Sequence, residues 1–373
     1  PQFRTTVRQD TVQAMRIAYV INSLEGGGAA FPVPAITSVF REAGHTVKVF
    51  ALARRDGLAI PLCEKAGLEY CICPYGEKQP IRMFLWLRRA LRAWQPDLIW
   101  TSLTRSTAMG ALIGILERKP VVSWQHSAFL KAGNLRLLRA LRNTPRIWVG
   151  DSEYVTEVTR QRLDLPDARM ACWPIFCVRT DVPQAAPWQP GEVIRIASLG
   201  RFSPEKGYDE LIDALVMLRG RDLPAFEVTI CGRGKERERL ETKKRALGLD
   251  NLHLHDFVHD VPDFLATQHL YVQPSHWEGF CVAVHDAMQA GLPVIGTAVG
   301  ELNHSLQEGR TGWKVPPRDA AALAECMARV LSRPAELHAT GCNARAYVRE
   351  HFSHTNFTRI GRDILHRAMP GRA

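Results

Sequence analysis

Short apolar runs that end in polar or glycine residues recur along most of the chain, separated by stretches of helical spacing. IAYVI at 17–21 leads into the glycine-rich SLEGGGAA. A helix is expected from there to about Ala43, where Gly44 stops it, and HTVKVFAL resumes as a strand. A shorter α/β stretch follows. QPDLIWTSL (95–103), the small-residue helix STAMGALIGILER, the strand KPVVSWQHS and the strand–turn–helix RIWVGDSEYVTEVTRQ then keep the same beat. Such alternation requires parallel sheets covered on both faces. TDVPQAAPWQPGE (180–192), with three prolines and little periodicity, interrupts it and reads as a linker. The beat restarts with VIRIASLG and FEVTICGRG, then runs through NLHLHDFV, LYVQPS and LPVIGT. Residues 319–332 and 343–369 are helical in pattern. The expected architecture is α/β, with two doubly wound domains of similar size.

A length of 373 residues supports this division, because it exceeds what one hydrophobic core usually covers. No window approaches the roughly 20 apolar residues of a membrane span. PQFRTTVRQDTVQ is polar, so no signal segment is expected, and the first fourteen residues read as a poorly ordered extension ahead of Met15. The nine cysteines contain no CxxC pair, which fits a reduced cytoplasmic interior with thiols as small core groups and no zinc. The net charge of +10 is unevenly distributed. Residues 1–187 carry 25 Lys and Arg against 15 Asp and Glu, and residues 188–373 carry 23 against 23. The first half therefore expects an anionic partner or surface.

In doubly wound sheets, ligands bind beyond the carboxyl ends of the strands. In SLGRFSPEKGYDELIDAL (198–215), Arg201 and Lys206 flank a turn before a helix that begins near Gly207 or Tyr208. Two cations beside a helix amino end suit a phosphate, unless they pair with Glu205 or Asp209 on a solvated turn. GGGAA (26–30) lets backbone N–H groups approach a ligand, or is a tight turn; it lacks the GxGxxG and GK[ST] spacings. His126 ends a strand and either donates to a ligand or is hydrogen-bonded in a cleft wall. HWEGFCVAVHDAMQAGLPVIGT (276–297) places Glu278 and Asp286 around a helix expected from Phe280 to Ala290. Acids in so apolar a run need a partner or a ligand. Either Glu278 favours the helix amino end and Asp286 pairs with a cation, or both serve chemistry. His276 and His285 do not have metal spacing.

Taken together, EGGGAA, GRFSPEKG (200–207) and PSHWEGFCVAVHDAMQAGLPVIGT (274–297) resemble the motifs of the retaining glycosyltransferases of the GT-B fold, GT4-type (glycosyl transferases group 1). Order and spacing match over about residues 15–360, and REHFSHTNF resembles the closing helical region that crosses back over the first domain. The resemblance implies an acceptor-side Rossmann-like domain at 15–185 and a nucleotide-sugar donor domain at 190–350. It also implies that the carboxyl-terminal helix, about 350–369, packs on the former. It places Glu278 near the donor sugar and Asp286 on the nucleotide ribose, with Arg201 and Lys206 on the diphosphate. Gly279, Phe280 and Cys281 would form the loop whose backbone meets the donor, Gly27 and Gly28 the first loop under the phosphates, and His126 a contact to the sugar. On this basis Glu278, His126, Arg201 and Lys206 are the catalytic candidates, and no metal or other cofactor beside the nucleotide-sugar is expected. Asp286 stands where the family has glutamate, and Cys281 where it has glycine. Glu301 and His304 depart from the family's GGxxE turn, and CWPIFCVRTDV holds the place of its IPNGVD-like stretch.

The acceptor is expected in the first domain. EKQPIRMFLWLRRALRAW (77–94) and FLKAGNLRLLRALRNTPR (129–146) alternate leucine or aromatic residues with arginine. Leu135, Leu138 and Leu141 recur at threes beside Arg136, Arg139 and Arg142. This suits helices on an anionic membrane surface, or ordinary amphipathic helices packed on the sheet. The expected partner is a lipid-linked or anionic saccharide of the cell envelope, met peripherally at the cytoplasmic face of the inner membrane. The alternatives are a nucleotide-sugar epimerase or hydrolase, and a synthase with a small soluble acceptor. A nucleic-acid-binding module lacks its motif and its aromatic-basic platform.

Overall fold

A computed structural model describes residues 14–127 and 130–369. Most of the expected amino-terminal extension therefore lies outside the described residues. The first half runs β1 (Arg16–Ile21), α1 (Val33–Glu42), β2 (Thr46–Ala51), α2 (Ile60–Lys65), β3 (Glu69–Ile72), α3 (Pro80–Trp94), β4 (Leu98–Ser102), α4 (Thr104–Glu117), β5 (Val121–Gln125), α5 (Ala132–Leu141), β6 (Ile147–Gly150), α6 (Glu153–Leu163) and β7 (Met170–Cys172). Its seven strands are parallel and ordered β3-β2-β1-β4-β5-β6-β7.

The second half runs β8 (Ile194–Leu199), α7 (Tyr208–Met217), β9 (Phe226–Cys231), α8 (Arg237–Ala246), β10 (Leu252–His255), α9 (Val261–Ala266), β11 (Leu270–Gln273), α10 (Val282–Gln289), β12 (Val294–Thr297), α11 (Leu302–Ser305), β13 (Gly312–Val315), α12 (Ala320–Leu331), α13 (Leu337–His351) and α14 (His354–Ala368). Its six strands are also parallel, ordered β10-β9-β8-β11-β12-β13. Two Rossmann-like sheets thus face a central cleft. In each, the strand order reverses beside its first strand, where ligands bind in such sheets.

The central strands are buried on both faces, as their unbroken apolar runs require. Trp100, Trp124 and Trp173 pack under the first sheet with Phe40, and Trp173 also meets Phe357 of α14. The last helix therefore belongs to the packing of the first half. Between β7 and β8 the chain has no helix or strand. Arg345 of α13 secures it by donating to the carbonyls of Val182 (2.8 Å) and Gln289 (2.5 Å).

Several local expectations change. The pattern at 343–369 is two helices, because Ser353 caps a new one by accepting from the Asn356 N–H. The helix after Gly279 starts at Val282, since Cys281 holds φ at 64°, a left-handed value incompatible with a helix interior. The short, half-exposed strand β13 carries too little periodicity to read. Leu138 and Leu141 of α5 point inward and Leu135 is partly buried, with Leu138 against Trp148 and Leu163. Those leucines follow the sheet-packing alternative, while Arg136 and Arg139 face outward.

α13 packs on α10, which carries Asp286. A Cβ at Gly341 would lie 1.9 Å from the Gly291 carbonyl oxygen just beyond α10. That backbone clash outweighs the roughly 1 kcal/mol that alanine adds to a helix interior. Gly341→Ala is therefore expected to lower the thermal unfolding midpoint, and an unchanged or raised midpoint would contradict this packing.

Candidate active site

The loop after β8 forms a single turn at Pro204–Lys206 and then passes through Gly207, with φ 67°, into α7. A Cβ at Gly207 would lie 1.9 Å from the Pro274 carbonyl oxygen. Glycine alone permits this approach, which brings the ends of the adjacent strands β8 and β11 together. Lys206 Nζ consequently lies 2.6 Å from Glu278 Oε1, with side-chain exposures of 19% and 11%. This replaces the expected alternative of Lys206 with Glu205 or Asp209; Asp209 instead takes Arg239 and Lys243.

A buried polar chain supports Glu278. Ser275 Oγ donates to the same Oε1 (2.6 Å), Gln273 Nε2 donates to Ser275 Oγ (2.8 Å), and the Tyr271 hydroxyl donates to Gln273 Oε1 (3.0 Å). The Leu199 N–H of β8 donates to that hydroxyl (2.9 Å). Burial pulls the Lys206 pKa down, but the Glu278 charge more than offsets it, so the ammonium is held well above its ordinary value.

The first sheet supplies the opposite wall. Asp56 Oδ1 accepts from the Gly26 N–H (2.8 Å) and fixes the glycine-rich loop. Gly27 comes beside the Arg201 guanidinium, and Gly28 beside Val282 of α10. Among the described residues Arg201 has no ion-pair partner within 4.0 Å, and it faces the cleft. His126 follows β5, and its backbone carbonyl lies 2.8 Å from where a Cβ of Gly279 would stand, which explains the glycine there. His126 Nε2 lies 2.7 Å from Ser102 Oγ, and Nδ1 lies 3.5 Å from Asp151 Oδ2.

Phe280 turns its ring into the core, stacked on His285 at 4.0 Å, so only its backbone is available to the cleft. Cys281 is buried beside Glu278, and burial followed by that charge raises its thiol pKa. His285 is held between the Cys281 carbonyl (3.0 Å) and Ser305 Oγ (2.8 Å), and burial pushes its pKa down to about 4. His276 pairs with Glu210 at 2.9 Å. Among the described residues, no three His, Cys, Asp or Glu side chains are grouped to hold a metal.

Gly27, Gly28, His126, Arg201, Lys206, Glu278, Gly279, Phe280, Cys281 and Asp286 all line one cleft of about 640 Å³. Sequence reasoning missed Asp56, Asp151, Phe257 and Val258, which share its walls. Asp151 in GDSE reads as a helix cap, a role Ser152 takes by accepting from the Val155 N–H.

Residues 26–176 match the family described as Glycosyltransferase Family 4, and residues 185–347 match Glycosyl transferases group 1. The chain belongs to the GT-B glycosyltransferases. Glycogen synthase of Mycobacterium tuberculosis is 32% identical over 189 residues, 48% of this chain and 41% of that protein. The D-rhamnosyltransferase WbpZ of Pseudomonas aeruginosa is 33% identical over 153 residues, 40% of this chain and 39% of that protein. This GT-B chain thus matches about two fifths of the length of these curated relatives. Anabaena Alr3699/HepE, solved in complex with UDP-glucose, superposes with a TM-score of 0.83 at 19% identity, covering 94% of this chain and 99% of that one. The lipopolysaccharide outer core galactosyltransferase WaaB, in its apo form, gives 0.73 at 16% identity, covering 95% and 100%. At such identities the superpositions show a shared GT-B fold.

Asp286 has no ion-pair partner within 4.0 Å among the described residues. Burial pushes its carboxyl up to about 7, opposed by the charge of Arg179. Between its ordinary 3.8 and about 7 the folded state holds this proton more tightly than the unfolded state. Its contribution to stability therefore falls as pH rises through that window. Asp286→Asn removes the effect. Relative to wild type, the ligand-free variant is expected to gain stability between pH 5 and pH 8. A pH-independent difference in unfolding midpoint would contradict the assignment.

Proposed function

We propose that this GT-B chain transfers a sugar from a nucleoside diphosphate to an acceptor hydroxyl with retention of anomeric configuration, in the assembly of an envelope polysaccharide or glycolipid. The buried Lys206–Glu278 pair at the switch point of the second sheet, facing the glycine-rich loop, carries this reading. Arg201, Lys206 and the N–H groups opening α7 hold the diphosphate and stabilise the negative charge that grows as it leaves. Glu278 stands by the oxocarbenium-like sugar as an electrostatic and hydrogen-bonding partner, not as a nucleophile. Asp286 takes the ribose hydroxyls, and the backbone of Gly279, Phe280 and Cys281 meets the donor. Gly27 and Gly28 approach the phosphates. The leaving phosphate helps take the acceptor proton on the same face, and closure of the cleft limits hydrolysis. The family matches over both halves support nucleotide-sugar chemistry. WaaB and the putative colanic acid biosynthesis glycosyltransferase WcaL, by their names, support the envelope setting.

Lys206→Ala and Glu278→Ala are each expected to cut transfer by at least about 100-fold. Each also strands its partner's charge, at a cost of about 3–5 kcal/mol, so folding is checked by circular dichroism. Glu278→Gln keeps an acceptor for Lys206 and separates the two effects. Wild-type turnover in folded Lys206 and Glu278 variants would end the reading. Epimer or free sugar released without any acceptor would favour an epimerase or hydrolase instead.

The acceptor reaches the cleft from the first half, whose outer helices support a peripheral membrane contact. α4 exposes Leu112, Ile115 and Leu116, and α3 exposes Ile81 and Leu85. Arginines stand among them, and no described helix is long and apolar enough to cross a membrane. Flotation with anionic vesicles is expected at low salt, weakening as salt rises and on replacing Arg136, Arg139 and Arg142 with glutamine. Absence of binding at low salt would exclude the contact.

A further inference from the structure

Asp151 has no part in the mechanism above, yet it is 3% exposed and sits where a carboxylate is costly. It leaves β6 just before the Ser152 cap of α6, and Ser152, not Asp151, satisfies the helix end. Among the described residues its Oδ1 has no hydrogen-bond partner, and nor has His126 Nδ1. Its Oδ2 faces His126 Nδ1 at 3.5 Å, an ion-pair distance longer than a hydrogen bond. On the other side of the ring, Ser102 Oγ lies 2.7 Å from Nε2.

This order has one self-consistent neutral proton pattern. A carboxylate at 3.5 Å repels a ring lone pair and attracts an N–H, so Nδ1 carries the proton. Nε2 is then the acceptor, and the Ser102 hydroxyl donates to it. Nε2 is thus taken up by Ser102, while Nδ1, which makes no hydrogen bond among the described residues, faces the Asp151 carboxylate. The Trp124 ring, 5.3 Å away and tilted 33°, closes a further side of the imidazole. The His126 backbone, pressed against Gly279, ties this assembly to the loop beside Glu278.

We propose that Asp151 is the positioning residue of His126: with Ser102 it fixes the ring in the cleft and holds its neutral-form proton on Nδ1. Among the described residues, the charged or titratable groups around this pair are few. Glu153 opens α6, Cys172 ends β7, and Glu301 reaches across from the turn before α11. Burial raises the Asp151 pKa, and the His126 partner opposes this, which fits a carboxylate whose main counter-group is that ring.

The proposal's catalytic consequence rests on the transferase reading, but its structural core does not. In 15N-histidine-labelled wild-type protein at high pH, the neutral His126 imidazole is expected to carry its proton on Nδ1. A proton on Nε2 would overturn the proposal without reference to activity. In Asp151→Asn, the Nε2-protonated tautomer of His126 is expected to gain population, with kcat down tenfold or more and donor KM within about threefold. A tautomer balance and a kcat both unchanged in this variant, whatever its unfolding midpoint, would show that Asp151 is only structural. Asp151→Ser, which also lacks the charge, gives the same two readouts if the asparagine variant does not fold. Absence of transfer by wild-type protein with every donor tested would overturn the transferase reading alone, leaving the tautomer measurement intact.

Discussion

The contact between Lys206 and Glu278 sets the terms for much of the second half. Two opposite charges are withdrawn from water at 2.6 Å, and their mutual attraction must outweigh the loss of hydration. It does so because further hydrogen bonds satisfy the carboxylate. Ser275, Gln273 and Tyr271 form a line that ends on the backbone of β8. The line can exist only if the end of β8 and the end of β11 lie close together. Gly207 permits that closeness, since any side chain there would strike the Pro274 carbonyl. A glycine, a lysine and a glutamate spread over 72 residues are thus one physical unit.

The opposite wall is built on a different principle. Among the described residues the first sheet brings to the cleft a loop whose backbone is exposed and a histidine that meets Ser102 at Nε2 and faces Asp151 at Nδ1. Asp56 pins the start of that loop by accepting from Gly26, and Gly27 and Gly28 come beside Arg201 and Val282 because they lack side chains. One wall supplies paired charge and the other close backbone. The aromatic group of Phe176, Phe280 and Phe352 packs where the two halves meet, directly behind the loop that carries Gly279. That packing fixes Phe280 inward and leaves the loop's main chain turned to the cleft.

Much of this was legible along the chain. Strand ends pointed to Gly200–Arg201, Gln125–His126 and Ser275–Glu278, because polar residues at the close of an apolar run have few other uses in a buried parallel sheet. Boundaries that depend on a single dihedral were not legible. Cys281 in a left-handed conformation delays α10 by two residues, and nothing in FCVAVHDAM announces it. The break at Ser353 looked like one continuous helix because the apolar spacing on either side stays in phase. Leucines at threes in α5 fitted either a membrane-facing or a sheet-packed helix, because spacing alone does not say which side the sheet lies on. Asp151 was overlooked because an acid before a helix is ordinarily a cap, and only the fold shows the cap taken by its neighbour.

The sequence by itself determined that strands and helices alternate, that two parallel sheets are needed to bury so many apolar runs, and which residue types gather at the strand ends. These follow from local periodicity and from the need to remove apolar surface from water. Only the tertiary structure decided the pairings. Lys206 could have met Glu205 or Asp209, and it meets Glu278 because the strand order β8-β11 brings the two loops side by side. His126 could have faced solvent or a ligand, and it is held by Ser102 and Asp151 because β4, β5 and β6 are neighbours in the first sheet. Partners chosen by strand order are separated by many residues in sequence, and no local pattern encodes a distance that the sheet alone creates.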